Sequence, residues 1–278
     1  VQDWILLALS LIIFSMALDS RLPKIRILDT KTCQDFIEIL RVFTGMSLLL
    51  TSYEGALIAP HLKTYGTFGA CLVFFEAVIG IMLFANRFIW HTAVCMLILQ
   101  MGLVIQFGIL PAVEYFVMVG IAVFLLLNNL RSPLLIEMLK PYSVDALRIC
   151  TGISLVTLGF CEKLLRSVLG QSFIYTYNWD FLVELGFDFF TDSLFVLSIG
   201  MMEVVFGTVL ILGTITRLNI VAISILMVFS NVVFIIQGRK AEALVEFVGH
   251  MPMIATALVL LLLGYGQRLK ITKLLPSR

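Results

Sequence analysis

The chain carries one sequence pattern twice, about one hundred residues apart, within segments that are almost wholly apolar. The first copy reads ILRVFTGMSLLLTSYEGALI from Ile39, and the second reads ALRICTGISLVTLGFCEKLL from Ala146. In this register Arg41 matches Arg148. A repeat constrains the fold more strongly than any local pattern, because each copy has to form the same unit. The sequence therefore predicts two copies of one module.

The later part of the pattern keeps an acidic residue inside an apolar segment of each copy. FFEAVIGIMLF matches MMEVVFGTVLI, which pairs Glu76 with Glu203. Farther on, VEYFVMVGIAVFLLL matches VEFVGHMPMIATALVLLL, which pairs Glu114 with Glu246. Ionisable residues are costly inside a bilayer and usually mark a functional site. The matched carboxylates therefore indicate more than an inert lipid anchor.

Composition places the chain in a membrane. Its mean hydropathy is +1.06, and only 13% of its residues are charged, whereas a soluble protein carries about 25%. The net charge of +1 gives no indication of a nucleic-acid partner. The five cysteines show no CxxC spacing and are interpreted as small buried hydrophobes. The sequence predicts no metal site, and no motif encodes a cofactor.

A helix needs about 20 apolar residues to cross a bilayer, with a range of about 17–25. About nine segments qualify on this criterion, the first of them short: 3–18, 37–59, 67–85, 88–107, 111–129, 146–165, 193–213, 218–236 and 244–265. The predicted fold is an all-α integral membrane protein, with two parallel four-helix-bundle repeats and an N-terminal helix. The predicted divisions are an N-terminal helix and cytoplasmic loop, two repeats, and a basic cytoplasmic tail: 1–36, 37–130, 144–267 and 268–278.

Basic residues set the predicted orientation. Of the 19 lysines and arginines, 14 fall on one side of the predicted topology and five on the other. The positive-inside rule places the richer side in the cytoplasm, so the C-terminus is expected there. Four helices per repeat would insert both copies the same way up. The expected location is a bacterial inner membrane. The chain begins at Val1 and not at Met, which leaves open missing first residues or a removed leader.

The second repeat holds the better-equipped candidate site. Its polar residues are expected to converge on one outward-opening pocket inside a four-helix bundle: Glu162, Lys163, Glu203, Asn231, Glu246 and His250. Glu246 and His250 are four residues apart and share a helix face. The first-repeat counterparts are Glu54, Glu76 and Glu114. That repeat has Met118 in place of His250 and Ala56 in place of Lys163.

Each of these groups has two open interpretations. Glu76 and Glu203 either tie helices together by hydrogen bonds or form a proton-linked, quinone-binding site. His250 is either a buried structural histidine or a proton-transfer group. Arg41 and Arg148 either extend to the membrane surface or pair with a carboxylate or a lipid phosphate.

One long outer loop, residues 167–192, is aromatic and acidic. It either lies along the membrane interface as an amphipathic segment, or forms a lid or partner-docking surface. In the second case Tyr175, Tyr177 and Trp179 are the expected contact residues.

At these positions the chain resembles the DoxX-like family of four-helix membrane proteins. The resemblance rests on an LR-x-x-x-G opening with a later Glu-Lys, an E-x-x-x-G segment ending in T-R-L, and a closing G-H-M-P: Leu147, Arg148, Gly152, Glu162, Lys163, Glu203, Gly207, Thr216, Arg217, Leu218, Gly249, His250 and Pro252. Family members are associated with membrane redox systems, among them a thiosulfate:quinone oxidoreductase subunit. The resemblance implies a quinone or bound lipid as ligand, or a partner subunit. The tandem duplication departs from the single-module pattern of the family.

The leading hypothesis is a redox-associated subunit with a quinone- or lipid-binding pocket in the second repeat. On this hypothesis, we expect an accessory subunit of a membrane oxidoreductase and not a standalone enzyme. Its expected partners are membrane lipids and other membrane or periplasmic subunits. The alternatives are a small-solute or lipid transporter, and a structural subunit of a larger membrane complex.

Overall fold

A computed structural model describes residues 2–19, 21, 30–165, 171–172, 174–175, 186–187, 189, 191–264 and 267–274. The described helices are α1 (Gln2–Asp19), α2 (Thr30–Tyr53), α3 (Gly66–Phe84), α4 (Ile89–Phe107), α5 (Ile109–Glu114), α6 (Val117–Asn128), α7 (Pro133–Leu139), α8 (Ser143–Leu158), α9 (Asp192–Leu212), α10 (Thr216–Ile236), α11 (Lys240–Leu263) and α12 (Ile271–Leu274). A 3-10 turn, Lys140–Tyr142, precedes α8, and a π-helix, Gly159–Leu165, follows it. Strands β1 (Ala56–Leu57) and β2 (Ala59–Lys63) form a short antiparallel hairpin after α2.

Seven of the described helical segments are long and apolar enough to cross a membrane. This supports the predicted integral membrane protein, although the count is lower than the predicted nine. The 18-residue α1 is not among the seven. The predicted span 111–129 is interrupted, because Tyr115 and Phe116 separate α5 from the 12-residue α6. There the Tyr115 amide donates to the Pro111 carbonyl, and the Phe116 amide donates to the Val113 carbonyl.

Eight helices pack in a closed order around the molecule. In this order α2, α3, α4, α6, α8, α9, α10 and α11 each contact the next, and α11 returns to α2. The fourth helix of each sequence repeat therefore packs against the first helix of the other repeat. The predicted two four-helix-bundle repeats are therefore not confirmed as separate units. Small side chains lie at these contacts, such as Gly120 of α6 against Cys150 of α8.

Two serines at matching positions, Ser47 and Ser154, each form a hydrogen bond from one repeat to the other. Ser47 of α2 donates its hydroxyl to the Val248 carbonyl of α11 at 3.1 Å. Ser154, the matching residue of α8, donates to the Glu114 carbonyl of α5. Both copies thus bond the first helix of one repeat to the last segment of the other.

The contact between first and second helix is also the same in both copies. Arg41 donates to the carbonyls of Leu83 and Phe84, and Arg148 donates to those of Leu210 and Ile211. These carbonyls occupy matching places in the repeat. Glycines lie where the helices cross, because they let two backbones approach closely.

Arg148 does not extend to the membrane surface. Its side chain is completely buried, and Nη2 lies 3.1 Å from Oδ1 of Asp145, which is also completely buried. The Asp145 carboxylate accepts two further bonds, from the backbone amides of Arg268 and Leu269 at 2.8 and 3.1 Å. Of the two interpretations of Arg148, pairing with a carboxylate is the one that these contacts support. The pair ties the segment after α11 to the start of α8.

Candidate functional site

The end of α8 changes helical form where its polar residues begin. Gly159–Leu165 forms a π-helix, a geometry that is frequent at functional sites. Gly159 lies directly against α9, since an added Cβ would be 2.7 Å from the Gly200 carbonyl oxygen. Gly200 leaves room for the Lys163 side chain, because a Cβ added to Gly200 would lie only 2.8 Å from the Cβ of Lys163. The two glycines therefore bring Lys163 close to α9.

Lys163 forms an ion pair with Glu203, the twelfth residue of the 21-residue α9. Its Nζ lies 2.5 Å from Glu203 Oε1. The side chains are 23% and 19% exposed, respectively. Glu203 Oε2 is buried and has no hydrogen-bond partner within the described chain. A charged pair at this depth is tolerated because each partner compensates the other, and one carboxylate oxygen remains able to accept a bond.

A second ionisable pair lies on α11, close to the first. His250 Nδ1 is 3.5 Å from Glu246 Oε1, and each side chain is about one third exposed. The Glu203 carboxylate interacts electrostatically with both Glu162 and His250. The structure thus brings five of the six predicted second-repeat residues together. We call Glu162, Lys163, Glu203, Glu246 and His250 the acidic cluster.

Asn231 is the predicted residue that the structure does not connect to the acidic cluster. Its side-chain amide donates to the Met227 carbonyl of its own helix, α10, at 3.2 Å. This bond within the helix satisfies the amide locally.

Two residues of the first repeat complete the surroundings of the acidic cluster. His61 of β2 interacts electrostatically with Glu162 and Glu246, and so does Tyr115. The His61 and Tyr115 rings are 6.0 Å apart, with the hydroxyl 3.4 Å from Nε2. Burial lowers the pKa of His61, and the two carboxylates partly oppose that shift. Sequence reasoning missed both residues because they belong to the other repeat.

Glu76, the first-repeat counterpart of Glu203, has a structural role. It is completely buried, and its Oε1 accepts bonds from the Thr51 hydroxyl at 2.7 Å and the Ile58 amide at 2.9 Å. Ile58 has a left-handed backbone, with φ of 66°, which is unfavourable for a β-branched residue. Glu76 therefore holds the turn of the hairpin against α2 and α3.

The other two counterparts, Glu54 and Glu114, are less buried than Glu76. Glu54 pairs with Lys63 at 3.3 Å on the surface, where both side chains are about half exposed. Glu114 is half-buried at the end of α5, and its carbonyl accepts the bond from Ser154.

Valine in place of Thr51 is expected to lower the free energy of unfolding by about 1–3 kcal/mol, because a buried carboxylate oxygen loses a donor. Thr44→Val is the matched control, since within the described residues the Thr44 hydroxyl bonds to the Leu40 carbonyl of its own helix alone. Denaturation of both variants in mixed micelles would measure the difference. Equal losses would contradict the structural role of Glu76.

The predicted partner loop is described only in part. Tyr175 is 86% exposed, which leaves its ring available to a partner or to the interface. Tyr177 and Trp179 lie outside the described residues. Within the described ranges, no three His, Cys, Asp or Glu side chains are grouped to hold a metal ion.

No known protein family, curated protein or solved structure matches the chain. The DoxX-like resemblance therefore stays a prediction.

Proposed function

We propose that this chain is a redox-associated membrane subunit that binds a quinone- or lipid-like head group at the Lys163–Glu203 pair. The observation that carries the proposal is the buried Glu203 Oε2, which has no hydrogen-bond partner in the described chain. Buried polar atoms are normally bonded, and the Glu203 side chain is 19% exposed whereas Glu76 is completely buried, so a ligand hydroxyl can reach this oxygen. The DoxX-like resemblance supports a quinone as that ligand.

Lys163 and Glu203 offer complementary groups to such a head group. A quinone carbonyl accepts hydrogen bonds, and its reduced hydroxyl donates them. The Lys163 ammonium is 23% exposed and can donate to the carbonyl, whereas Glu203 Oε2 can accept from the hydroxyl. The isoprenoid tail would lie among the apolar side chains of the bundle, as in most sites for small amphipathic ligands.

The remaining members of the acidic cluster supply a route for protons. Reduction of a quinone to a quinol consumes two electrons and two protons. Because no redox cofactor motif occurs in the chain, the electrons would come from a partner subunit. The protons would pass from the hairpin through Glu246 and His250 to Glu203, which interacts with His250. Histidine suits this task because its two ring nitrogens can accept a proton on one side and donate one on the other.

The basic residues also bear on the location of the protein. The predicted excess of basic residues on one side supports a bacterial inner membrane protein with a cytoplasmic C-terminus. The acidic cluster would then face the periplasm, where a soluble or membrane partner could approach it.

Glutamine in place of Glu203 is expected to lower the quinone retained per purified protein about tenfold, because a charge-assisted hydrogen bond is lost. Glu54→Gln is the control, since its partner Lys63 lies on the surface. Extraction of the purified protein, followed by quantification of bound quinone, checks the result. Unchanged retention in both Glu203→Gln and His250→Ala would end the quinone proposal.

A transporter is the second candidate, and the π-helix at Lys163 favours it. Transporters often bind substrate where a spanning helix departs from regular α geometry. Reconstituted vesicles without any partner would separate the two functions. Solute or lipid flux driven by a proton gradient, and lost in Glu203→Gln, would favour transport over a redox role.

A further inference from the structure

The turn between the second and third helix has the same backbone in both repeats. Asn86 and Gly213 occupy matching positions, with φ of 53° and 76°. Two residues later, Phe88 and Ile215 match, with φ of 51° and 36°. Left-handed conformations are costly for Phe and Ile, so their recurrence marks one specific turn. Each turn leads directly into a helix, α4 or α10.

In the second repeat this turn holds an anion. The Ile215 amide donates to Oδ1 of Asp19, at the end of α1, at 2.9 Å. Lys270, which follows α11, lies 3.1 and 3.2 Å from the two oxygens of the same carboxylate. An amide at a helix start and one cation thus bind a carboxylate together, as expected for an anion site.

In the first repeat the same turn opens into a depression of about 270 Å³. Among the residues that line it are Asn86, Phe88, Trp90, His91, Asn129 and Arg131. Arg131 follows the fourth helix of its repeat, as Lys270 does in the second. No described carboxylate lines the depression, and the Phe88 amide forms no bond within the described part of the chain.

We propose that this depression binds an anionic phosphate group, in the position that Asp19 occupies in the other repeat. The Phe88 amide and the Arg131 guanidinium would be its donors, and arginine matches phosphate geometry well. Trp90 and Phe88 are 40% and 63% exposed at the rim. Exposed aromatic rings of this kind lie at the head-group level of a bilayer. The phosphate therefore comes either from an anionic lipid or from free phosphate.

Arg131→Gln tests the proposal, and Arg87→Gln is its matched control. Arg87 lies in the same turn and is exposed, but it does not line the depression. Native mass spectrometry of the purified full chain would count bound phosphatidylglycerol and phosphatidylcholine. Arg131→Gln should weaken phosphatidylglycerol binding about tenfold, as expected for one lost charge-assisted contact. Arg87→Gln should leave it within about twofold, as for a surface charge.

Asn129→Asp provides a second variant that retains the shape of the site. Its carboxylate would lie in the depression beside Arg131 and should exclude phosphatidylglycerol, as the Asp19 carboxylate fills the other turn. Competition with inorganic phosphate distinguishes the two sources. Displacement of the lipid by phosphate at millimolar concentration would assign the site to the free anion, and no displacement would assign it to lipid. Equal loss in both arginine variants, equal binding of the zwitterionic lipid, or normal binding by Asn129→Asp would overturn the proposal.

Discussion

Asparagine in place of Asp145 is expected to lower the free energy of unfolding by about 3–5 kcal/mol, the cost of leaving a buried charge without its partner. Arg148 is completely buried and has Asp145 as its carboxylate partner. The substitution also weakens the bonds that Asp145 accepts from the amides of Arg268 and Leu269. Reversible unfolding in mixed micelles would give the difference directly.

Glu38→Gln is the matched control for this variant. Glu38 occupies the place of Asp145 in the first repeat and interacts with Arg41, but its side chain is exposed. A charge interaction made by an exposed carboxylate contributes about 0–1 kcal/mol, so the control should unfold almost as the parent chain does. A second variant, Asp145→Leu with Arg148→Met, should recover part of the loss because no unpaired charge remains. Equal stability of Asp145→Asn and Glu38→Gln would show that the buried pair is not needed.

Alanine in place of Gly207 is expected to destabilise the protein by about 3 kcal/mol, at the upper end of the range for overpacking. Its Cβ would lie 2.6 Å from the Gly152 carbonyl oxygen and 2.8 Å from the Val156 amide nitrogen. Both are backbone atoms, so α8 and α9 would have to move apart. This would also disturb the approach of Lys163 to Glu203. The same unfolding assay measures the loss of stability. The amount of quinone retained by the purified protein shows whether the Lys163–Glu203 site is disturbed.

Gly249→Ala should instead raise the free energy of unfolding. Gly249 lies inside α11, and the nearest atom to an added Cβ is Pro60 Cδ at 3.8 Å. Alanine in an uncrowded helix position stabilises by about 0.5–1 kcal/mol relative to glycine. A loss of stability at Gly249 as large as that at Gly207 would mean that helix crossing is not what limits the Gly207 position.

Hydropathy predicted several helices closely, because turn residues limit their length. The predicted spans 67–85 and 193–213 correspond to Gly66–Phe84 and Asp192–Leu212. The hairpin was not predicted. Its first strand lies within the predicted apolar span 37–59, whereas the helix ends at Tyr53 and left-handed Gly55 and Ile58 turn the chain. Such a turn depends on the buried Glu76 oxygen, which only the folded chain provides.

The acidic cluster was predictable only within one repeat. Lys163 and Glu203 lie in consecutive spanning helices, and a carboxylate at that depth needs a cation. The neighbours His61 and Tyr115 could not be assigned from the sequence, because their proximity depends on which helices pack together. The structural role of Glu76 was likewise left open, since Thr51 and Ile58 carry no sequence signal for it.

The exchange of last helices between the two copies has a consequence for the history of the chain. A half that was cut free would lose part of its packing, because α6 and α11 each pack against the first helix of the opposite copy. A half-length ancestor with this packing would have been an obligate dimer of swapped protomers. Within one chain, the first repeat can then differ from the second, as at Met118 and Ala56, while it still supplies His61 and Tyr115 beside the acidic cluster.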